Sequence, residues 1–360
     1  MLLPCGKGTH MKKLLDRIFI DGLTGMAQGL FATLIIGTII QQIGTYCGGN
    51  IGDLIFTLGK VAAGLTGAGI GAGVARKLDA GHLVIVSAAV VGMIGAFAGD
   101  VMSGDIVNDG SLVLSGPGEP LGAFVAAYIA IEIGILISGK TKLDIILTPL
   151  VCIGVGSAVG LLVGPPISGF MSWLGSLINW GTEQQPFVMG IVVSVLMGMI
   201  LTLPISSAAL GVILNLSGLA AGAATVGCCC NMIGFAVASF RENKFGGLLS
   251  QGIGTSMLQV PNIVRHPQIW IPPILSSAIL GPVSTMVFHM TNNATGSGMG
   301  TAGLVGPLMT WQVMTQTEPE MIVLVKIIVI QFVLPAVITL LISEFMRKKK
   351  WIHPGDMKLN

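Results

Sequence analysis

The chain has 360 residues, of which 18 are Lys or Arg and 16 are Asp or Glu, so 9% are charged. A soluble chain carries about 25% charged residues, whereas 52% of this chain is hydrophobic and its mean hydropathy is +0.87. So few charges cannot cover a water-facing surface, which excludes a soluble enzyme, and the abundance of apolar residues excludes intrinsic disorder. The net charge of +2 is too small to indicate binding of nucleic acid. The composition predicts an all-α polytopic membrane protein.

Eight stretches are apolar enough, and near enough to the required 20 or so residues, to cross a bilayer. They are 22–45, 51–75, 81–103, 119–139, 144–164, 186–203, 268–290 and 321–346. Three further apolar stretches, 208–239, 246–263 and 292–314, are interrupted by Gly, Asn and Pro. We predict that two or all three of these stretches form re-entrant or broken helices. Their irregular backbone must be covered by protein or water, because it is not tolerated against lipid.

The domain boundaries follow from the same pattern. We predict an N-terminal extension over residues 1–13, a membrane domain over 14–346 and a basic tail over 347–360, although Met11 is an alternative start. Residues 14–165 and 186–346 suggest two halves. The stretch 166–180 between them is typical of an amphipathic helix at the membrane interface.

Basic residues mark one side of the predicted membrane domain. They lie beside the spans at Lys12, Lys13, Arg17, Arg76, Lys77, Lys140, Lys142, Arg241, Lys244, Arg265 and residues 347–350. By the positive-inside rule this side is the cytoplasm, so both termini are expected there. Because basic residues follow 208–239 and the sixth span also ends inside, we predict that 208–239 crosses twice with short helices or does not cross fully.

The glycines at 67, 69, 71 and 73 imitate a dinucleotide-binding fingerprint. No strand precedes them, so close packing between helices is the better interpretation. The consecutive cysteines Cys228 to Cys230 match neither a disulfide framework nor a zinc site. We interpret them as small packing residues, and we expect neither a metal nor a cofactor.

Acidic residues precede prolines in three connections that carry no basic residue, one of them Glu318 before Pro319, where capping is a sufficient explanation. Glu119 lies directly before Pro120, and Glu183, Gln184 and Gln185 lead into the next helix at Pro186. Acids in this position are typical of helix capping. A carboxylate beside two amides is also well suited to sugar hydroxyls, because it supplies directed donors and acceptors. Capping and substrate binding therefore both stay open.

Glu132 lies in the middle of a predicted span, where a charge costs at least about 2.5 kcal/mol. We expect this carboxylate to face the interior, to be paired or to be protonated, and a structural hydrogen bond between helices is the alternative.

The polar run that begins at His289 contains Asn292 and Asn293. Its glycines allow a tight turn that is able to hold a ligand, with an ordinary loop and a structural histidine as the alternatives.

Amide side chains also occur in the other interrupted stretches. They are Asn215, Asn231, Gln251, Gln259 and Asn262. The simplest interpretation is that they satisfy backbone groups freed by the helix breaks.

Several longer motifs carry a resemblance to a known family. They are GEPLGAF at 118–124, SGKTKLDIILTP at 138–149, TEQQPF at 182–187, LPISSAA at 203–209 and PNI at 261–263. Over residues 14–358 the chain resembles the stand-alone membrane IIC component of the bacterial phosphotransferase system, whose members are also labelled sugar transporter subunits IIC or toxin-gene regulators.

The resemblance implies a multi-pass sugar permease of the bacterial inner membrane. In such systems a cytoplasmic B component donates phosphate to the sugar held by the C component, and the permease carries no phosphorylated residue of its own. No A or B domain follows residue 346, so separate EIIA and EIIB proteins are the expected partners, besides the sugar and the lipid bilayer. A homodimer is expected by analogy with related permeases.

Three functions are therefore open. The first is a sugar permease that works by alternating access, with binding by Glu183, Gln184, Gln185, Asn292 and Asn293 and with Glu119, Glu132 or His289 nearby. The second is a membrane sensor or regulator that binds a ligand without moving it. The third is a secondary transporter coupled to protons through Glu132. The sequence identifies neither the sugar nor the phosphate donor.

Overall fold

The computed structural model describes residues 13, 15–104, 107–108, 111–114 and 116–359. Within these residues the chain is helical apart from a small ribbon, in which Val107–Asn108 pairs antiparallel with Ser111–Leu112. The predicted all-α class is thereby confirmed. The predicted N-terminal extension, except for Lys13, lies outside the described residues.

The helices are labelled in chain order over the described residues. They are α1 Arg17–Cys47, α2 Gly49–Gly64, α3 Thr66–Lys77, α4 His82–Ala96, α5 Ala98–Ser103, α6 Pro120–Ile137, α7 Asp144–Thr182, α8 Pro186–Thr202, α9 Ser207–Ile213, α10 Gly218–Ala238, α11 Phe240–Leu249, α12 Val260–Arg265, α13 Pro267–Val287, α14 Ala294–Ser297, α15 Val305–Met314 and α16 Glu320–Lys348. The π-helical turn Ser250–Gly254 and the 3₁₀ turns Ser256–Gln259 and Ala302–Leu304 connect some of them.

In the described part of the chain, six helices are long and apolar enough to cross a membrane. They are α1, α6, α7, α10, α13 and α16, and a seventh span results if α2 and α3, separated by a bend, count as one. The sequence predicted eight full spans, a number that is not confirmed. Two of the predicted spans form helices of only 15 and 17 residues, α4 and α8, which is short of the 20 or so residues that a bilayer core requires.

Residues 208–239 are interrupted at 214–217, but the second helix is longer than the prediction of short crossings or incomplete crossing. After the short helix α9 the chain forms α10, an uninterrupted helix of 21 residues that is mostly buried. The glycines that suggested a break serve close packing instead. A Cβ atom at Gly198 of α8 would lie 2.5 Å from the carbonyl oxygen of Gly227 in α10, so the two helix backbones nearly touch.

The predicted interface helix over 166–180 is not a separate element. It continues α7, a single helix of 39 residues that includes Pro149, Pro165 and Pro166. The proline pair suggested a boundary, because each proline removes a backbone donor and tends to kink a helix. In the structure the helix nevertheless continues through the pair.

The described residues form two compact units. Unit 1 comprises Met1–Leu34 and Lys60–Ile167, and unit 2 comprises Ile35–Gly59 and Ser168–Asn360. The suspected halves 14–165 and 186–346 differ from this division, because Ile35–Gly59 belongs to unit 2. The sequence gives no sign of this division, because Ile35–Gly59 begins inside helix α1 and ends inside helix α2, not in loops.

Unit 1 is held together by glycines on both faces of α3. Gly69 and Gly73 face Gly29 and Gly25 of α1, while Gly67 and Gly71 face α4. A Cβ atom at Gly25 would lie 2.6 Å from the carbonyl oxygen of Gly73, closer than any real contact. The packing interpretation of these glycines is thus confirmed, and it removes the dinucleotide alternative.

We therefore expect Gly25→Val to destabilise the protein by about 1–3 kcal/mol, because the added side chain must push two helix backbones apart. Thermal unfolding in detergent measures the effect. Gly64→Ala is the matched control, since a Cβ atom there meets nothing within 4 Å. Equal unfolding temperatures for the two variants would contradict this account of the packing.

Candidate functional site

The centre of unit 2 is helix α10. It packs against α8, α13 and α16, and the cysteines Cys228, Cys229 and Cys230 on it are fully buried and free. This confirms their interpretation as small packing residues. Two broken segments, which we call the 240–265 segment and the 288–314 segment, also lie against α10.

Asn231 is the hub of a polar cluster in the middle of this core. Its Oδ1 accepts hydrogen bonds from Thr202 Oγ1 at 3.2 Å and from Trp270 Nε1 at 3.1 Å. Its Nδ2 donates to the Gly227 carbonyl at 3.2 Å and to Ser277 Oγ at 3.3 Å. The side chain is completely buried, and both its donors and both acceptor positions are used. One amide therefore connects α8, α10 and α13.

The 240–265 segment reaches this hub through Ser256. The hydroxyls of Ser256 and Thr202 lie 2.8 Å apart, and Thr255, in extended conformation, separates the two arms of the segment. Farther along, Gln259 Nε2 donates to Gln251 Oε1 at 2.8 Å, so a buried amide pair joins the arms. The predicted interruption of this segment is confirmed.

The 288–314 segment runs along the first half of α10 and then turns back. The backbone N–H of Asn292 donates to the carbonyl of Gly218 at the start of α10, and Thr301 Oγ1 reaches Met232 Sδ at 3.5 Å. The turn requires a glycine at 300, where φ is +51° and a Cβ atom would lie 2.7 Å from that of Cys228. This segment, too, is broken as predicted.

Asn292 occupies the point where the two arms of the 288–314 segment meet α10. The side chain is 2% exposed, and its Nδ2 lies within hydrogen-bond distance of Thr225 Oγ1 at 2.8 Å, Thr310 Oγ1 at 3.0 Å and the Gly306 carbonyl at 3.2 Å. Gln331 Nε2 of α16 also donates to Thr310 Oγ1. The predicted binding residue is therefore the centre of a second buried polar cluster.

Asn293 has a local role that the sequence did not indicate. Its Oδ1 accepts the backbone N–H of Gly296 at 2.9 Å, so it caps the short helix α14. Its Nδ2 points at Met309 Sδ, 3.6 Å away. The side chain is half-buried rather than exposed as in an ordinary loop.

Lys326 of α16 joins the start of the 288–314 segment to the connection that follows this segment. Its Nζ donates to the Phe288 carbonyl at 2.9 Å and pairs with Glu318 at 2.7 Å. The chain thus returns to the place where it left α13. His289, the next residue, is exposed and has a φ of +49°, a left-handed conformation that lets the helix end there.

Glu183, Gln184 and Gln185 form a surface turn between α7 and α8. Glu183 and Gln185 are exposed, and Gln184 Nε2 donates to the Trp180 carbonyl at 3.0 Å. The turn lies at the same end of unit 2 as His289, because the carbonyl of Pro186 accepts a hydrogen bond from Thr285 Oγ1 at 2.8 Å. These residues share an end of the unit with Asn292, but no described cavity joins them.

The remaining two predicted residues belong to unit 1. Glu119 is the N-cap of α6, and its Oε1 accepts the Leu121 backbone N–H at 3.4 Å, which is the capping alternative. Glu132 pairs with Arg17, whose Nε lies 2.6 Å from Oε1. Of the three expectations for Glu132, pairing is the one observed, and Tyr128 lies one turn away on the same helix.

One cavity of about 460 Å³ lies at the other end of α10. It is lined by Val237, Ala238, Phe240, Arg241, Leu248, Leu340 and Glu344. Arg241 and Glu344 form an ion pair of 3.0 Å across it. None of the predicted site residues lines this cavity. Among the described residues, no group of three or more His, Cys, Asp or Glu is placed to hold a metal ion.

Sequence reasoning missed the hydroxyl and indole groups that complete the two clusters. They are Thr202, Thr225, Trp270, Ser277 and Thr310. Threonine and serine are common in apolar helices, where they often bond to their own backbone, so only their shared position beside Asn231 and Asn292 distinguishes them.

The comparisons with known proteins agree with this architecture. The family model described as phosphotransferase system, EIIC, matches residues 20–359, which include α10 and both broken segments. No curated protein matches the chain. The match covers nearly all of the described residues, as the motif resemblance predicted. The chain therefore belongs to the EIIC family of the phosphotransferase system, a family of membrane transport components.

Proposed function

We propose that this protein binds a sugar between α10 and its two broken segments and moves it across the inner membrane by alternating access. A separate B component would supply the phosphate. The observation that carries the proposal is the placement of two buried amide clusters, centred on Asn231 and Asn292, where both broken segments meet one helix.

The chemistry of these clusters fits a sugar. Each hydroxyl of a sugar both donates and accepts, and an Asn or Gln side chain offers two donors and an acceptor. Buried polar groups are costly unless they are paired, and the side chains of Asn231 and Asn292 are paired with other groups of the protein. The Oε1 of Gln331, beside the second cluster, has no hydrogen-bond partner. When the site opens, hydroxyls of a bound sugar are able to replace the protein groups that are bonded to these asparagines. The amide groups then keep hydrogen-bond partners throughout.

Broken helices supply the movement in this proposal. Transporters form binding sites where helices are interrupted, and one group of helices moves around the site. Ser250–Gly254 of one broken segment contacts Ala302–Leu304 of the other, so a movement of one segment would also move the other. Glu183, Gln184 and Gln185 are proposed to contact the sugar at the entrance, at the end of unit 2 where Asn292 also lies.

The orientation follows from the charges at the two ends of α10. Arg347 donates to the Ala238 carbonyl at one end, whereas Met290 packs on Gly222 and Asn292 reaches Gly218 at the other. By the positive-inside rule we infer that the first end faces the cytoplasm, and the cytoplasmic location of both termini stays a prediction. His289 is then far from a cytoplasmic phosphate donor, and we assign the acceptance of a hydroxyl proton to no residue.

No observation favours the proton-coupled alternative or the sensor. Glu132 is engaged by Arg17 in unit 1 and lies in neither amide cluster. A homodimer and the individual contacts of Glu119, Glu183, Gln184, Gln185 and Asn293 with a sugar stay predictions.

We expect Asn231→Leu to reduce sugar uptake at least tenfold, because the replacement has a similar size but cannot bind hydroxyls. Uptake of a panel of labelled sugars by cells that lack the gene, complemented with each variant, measures this. Cys229→Ala on the same helix is the matched control. The loss of hydrogen bonds should cost about 1–3 kcal/mol of stability, so the amount of folded protein in the membrane is quantified alongside. Normal uptake by Asn231→Leu would contradict the site.

Glu132→Gln distinguishes the permease from the proton-coupled transporter. A half-exposed ion pair contributes at most about 1 kcal/mol, so we expect uptake within twofold of the unchanged protein. The double variant Arg17→Gln with Glu132→Gln controls for the unpaired arginine. Abolished uptake in both variants, with normal amounts of folded protein, would favour proton coupling instead.

A further inference from the structure

The residues that follow α16 fold back onto unit 2. Ile352 and Met357 are 1% and 0% exposed, and both belong to an apolar cluster with Phe235, Ile263 and Ile269. The tail is therefore packed into the core at the Ala238 end of α10, although basic residues are its main feature in the sequence.

Side-chain amides of the 240–265 segment hold the backbone of this tail. Asn243 Nδ2 and Gln259 Nε2 donate to the Met357 carbonyl at 2.8 and 2.9 Å, and Asn262 Nδ2 donates to the Lys358 carbonyl at 3.0 Å. In return, the Leu359 backbone N–H donates to Asn243 Oδ1 at 2.9 Å. These contacts therefore bind the main chain of the tail, not its side chains.

The donors come from both arms of the segment. Asn243 lies before the break at Thr255, whereas Gln259 and Asn262 lie after it. A single tail carbonyl, that of Met357, therefore joins the two arms. The buried amide pair of Gln251 and Gln259 lies next to this contact, and the two arms cannot separate while the tail stays bound.

Further charged contacts fix the tail at its beginning and its middle. Arg347 pairs with Glu242 at 2.9 Å, and both side chains are 8% exposed. Asp356 accepts the His353 backbone N–H at 2.8 Å and lies 3.7 Å from His266 Nδ1, just after α12. The tail is thus attached to α11, to α12 and to the end of α16.

We propose that residues 351–359 form a strap that locks the broken 240–265 segment, so that the strap must detach before the arms of that segment move apart. This inference concerns a conformational device and does not depend on the identity of the transported sugar. It names a function for the tail beyond the proposed transport activity.

Hydrogen–deuterium exchange of the full-length protein in detergent tests the strap. The double variant Asn243→Ala with Asn262→Ala removes three of the four amide–backbone bonds and leaves the tail sequence intact. We expect amide exchange in residues 246–259 to become at least tenfold faster, while exchange in 271–282 of α13 is unchanged. Lys358→Ala is the matched control, because it keeps the carbonyl that Asn262 binds and removes only an exposed side chain.

A chain that ends at Lys350 gives a second, independent variant. It should show the same faster exchange over 246–259 with α13 still protected. If exchange over 246–259 is the same in the double variant and in the unchanged protein, the proposal that the tail locks this segment is wrong. Faster exchange throughout unit 2 would also overturn it, since the tail would then be a general part of the core. Neither result bears on sugar uptake, so a failure of the proposed transport function remains separately visible.

Discussion

A polar side chain buried among apolar helices must find a hydrogen-bond partner, because water is not there to supply one. In unit 2 two buried asparagines meet this requirement where helices and broken segments come together around α10. Asn231 uses every donor and acceptor that it has, and it joins α8, α10 and α13. Asn292 does the same for the 288–314 segment. Within the broken segments, amides are paired as well: Gln259 with Gln251, and Asn292 with the Gly306 carbonyl.

The same constraint connects structure to transport. A fully apolar core would hold the helices together without any means of recognising a sugar, whereas an amide cluster is able to exchange internal partners for hydroxyls. Close helix packing makes such clusters possible, because glycines such as Gly198 let α8 and α10 approach until side chains of both reach one another. The family membership gives the transport activity, and the clusters give the place where we propose that binding occurs.

Much of this could be predicted from the sequence. Charge content and apolar stretches predict a membrane protein of the all-α class. Glycines, asparagines and prolines predict the interruptions of 246–263 and 292–314, which lie in the 240–265 and 288–314 segments. The interruption predicted within 208–239 lies at 214–217, between α9 and α10, where Asn215 has a φ of +47°. Gly222 and Gly227 do not break α10 and instead permit close packing. A glycine in an apolar stretch is compatible with either outcome, and only the neighbouring helix decides between them.

The candidate site was less accessible to sequence reasoning. Asn292 was recognised as polar in an apolar context, but its partners Thr225 and Thr310 lie 67 and 18 residues away, and no spacing rule connects them. Glu132 stood out for the same reason, and Glu119 because it precedes a proline. In the structure Glu119 caps α6 and Glu132 pairs with Arg17. A polar residue in a span signals a necessary partner, and the sequence does not say whether that partner is a ligand or another part of the chain.

The most direct measurement of the central claim is the thermal stability of purified protein against a panel of sugars, with and without Asn231→Leu. A ligand that binds only the folded state stabilises it by RT ln(1 + L/Kd), where L is the free ligand concentration, and so raises the unfolding temperature. We predict that one class of sugar stabilises the unchanged protein and leaves Asn231→Leu unaffected. Equal stabilisation of both proteins by the same sugar would show that it binds elsewhere and would contradict the account.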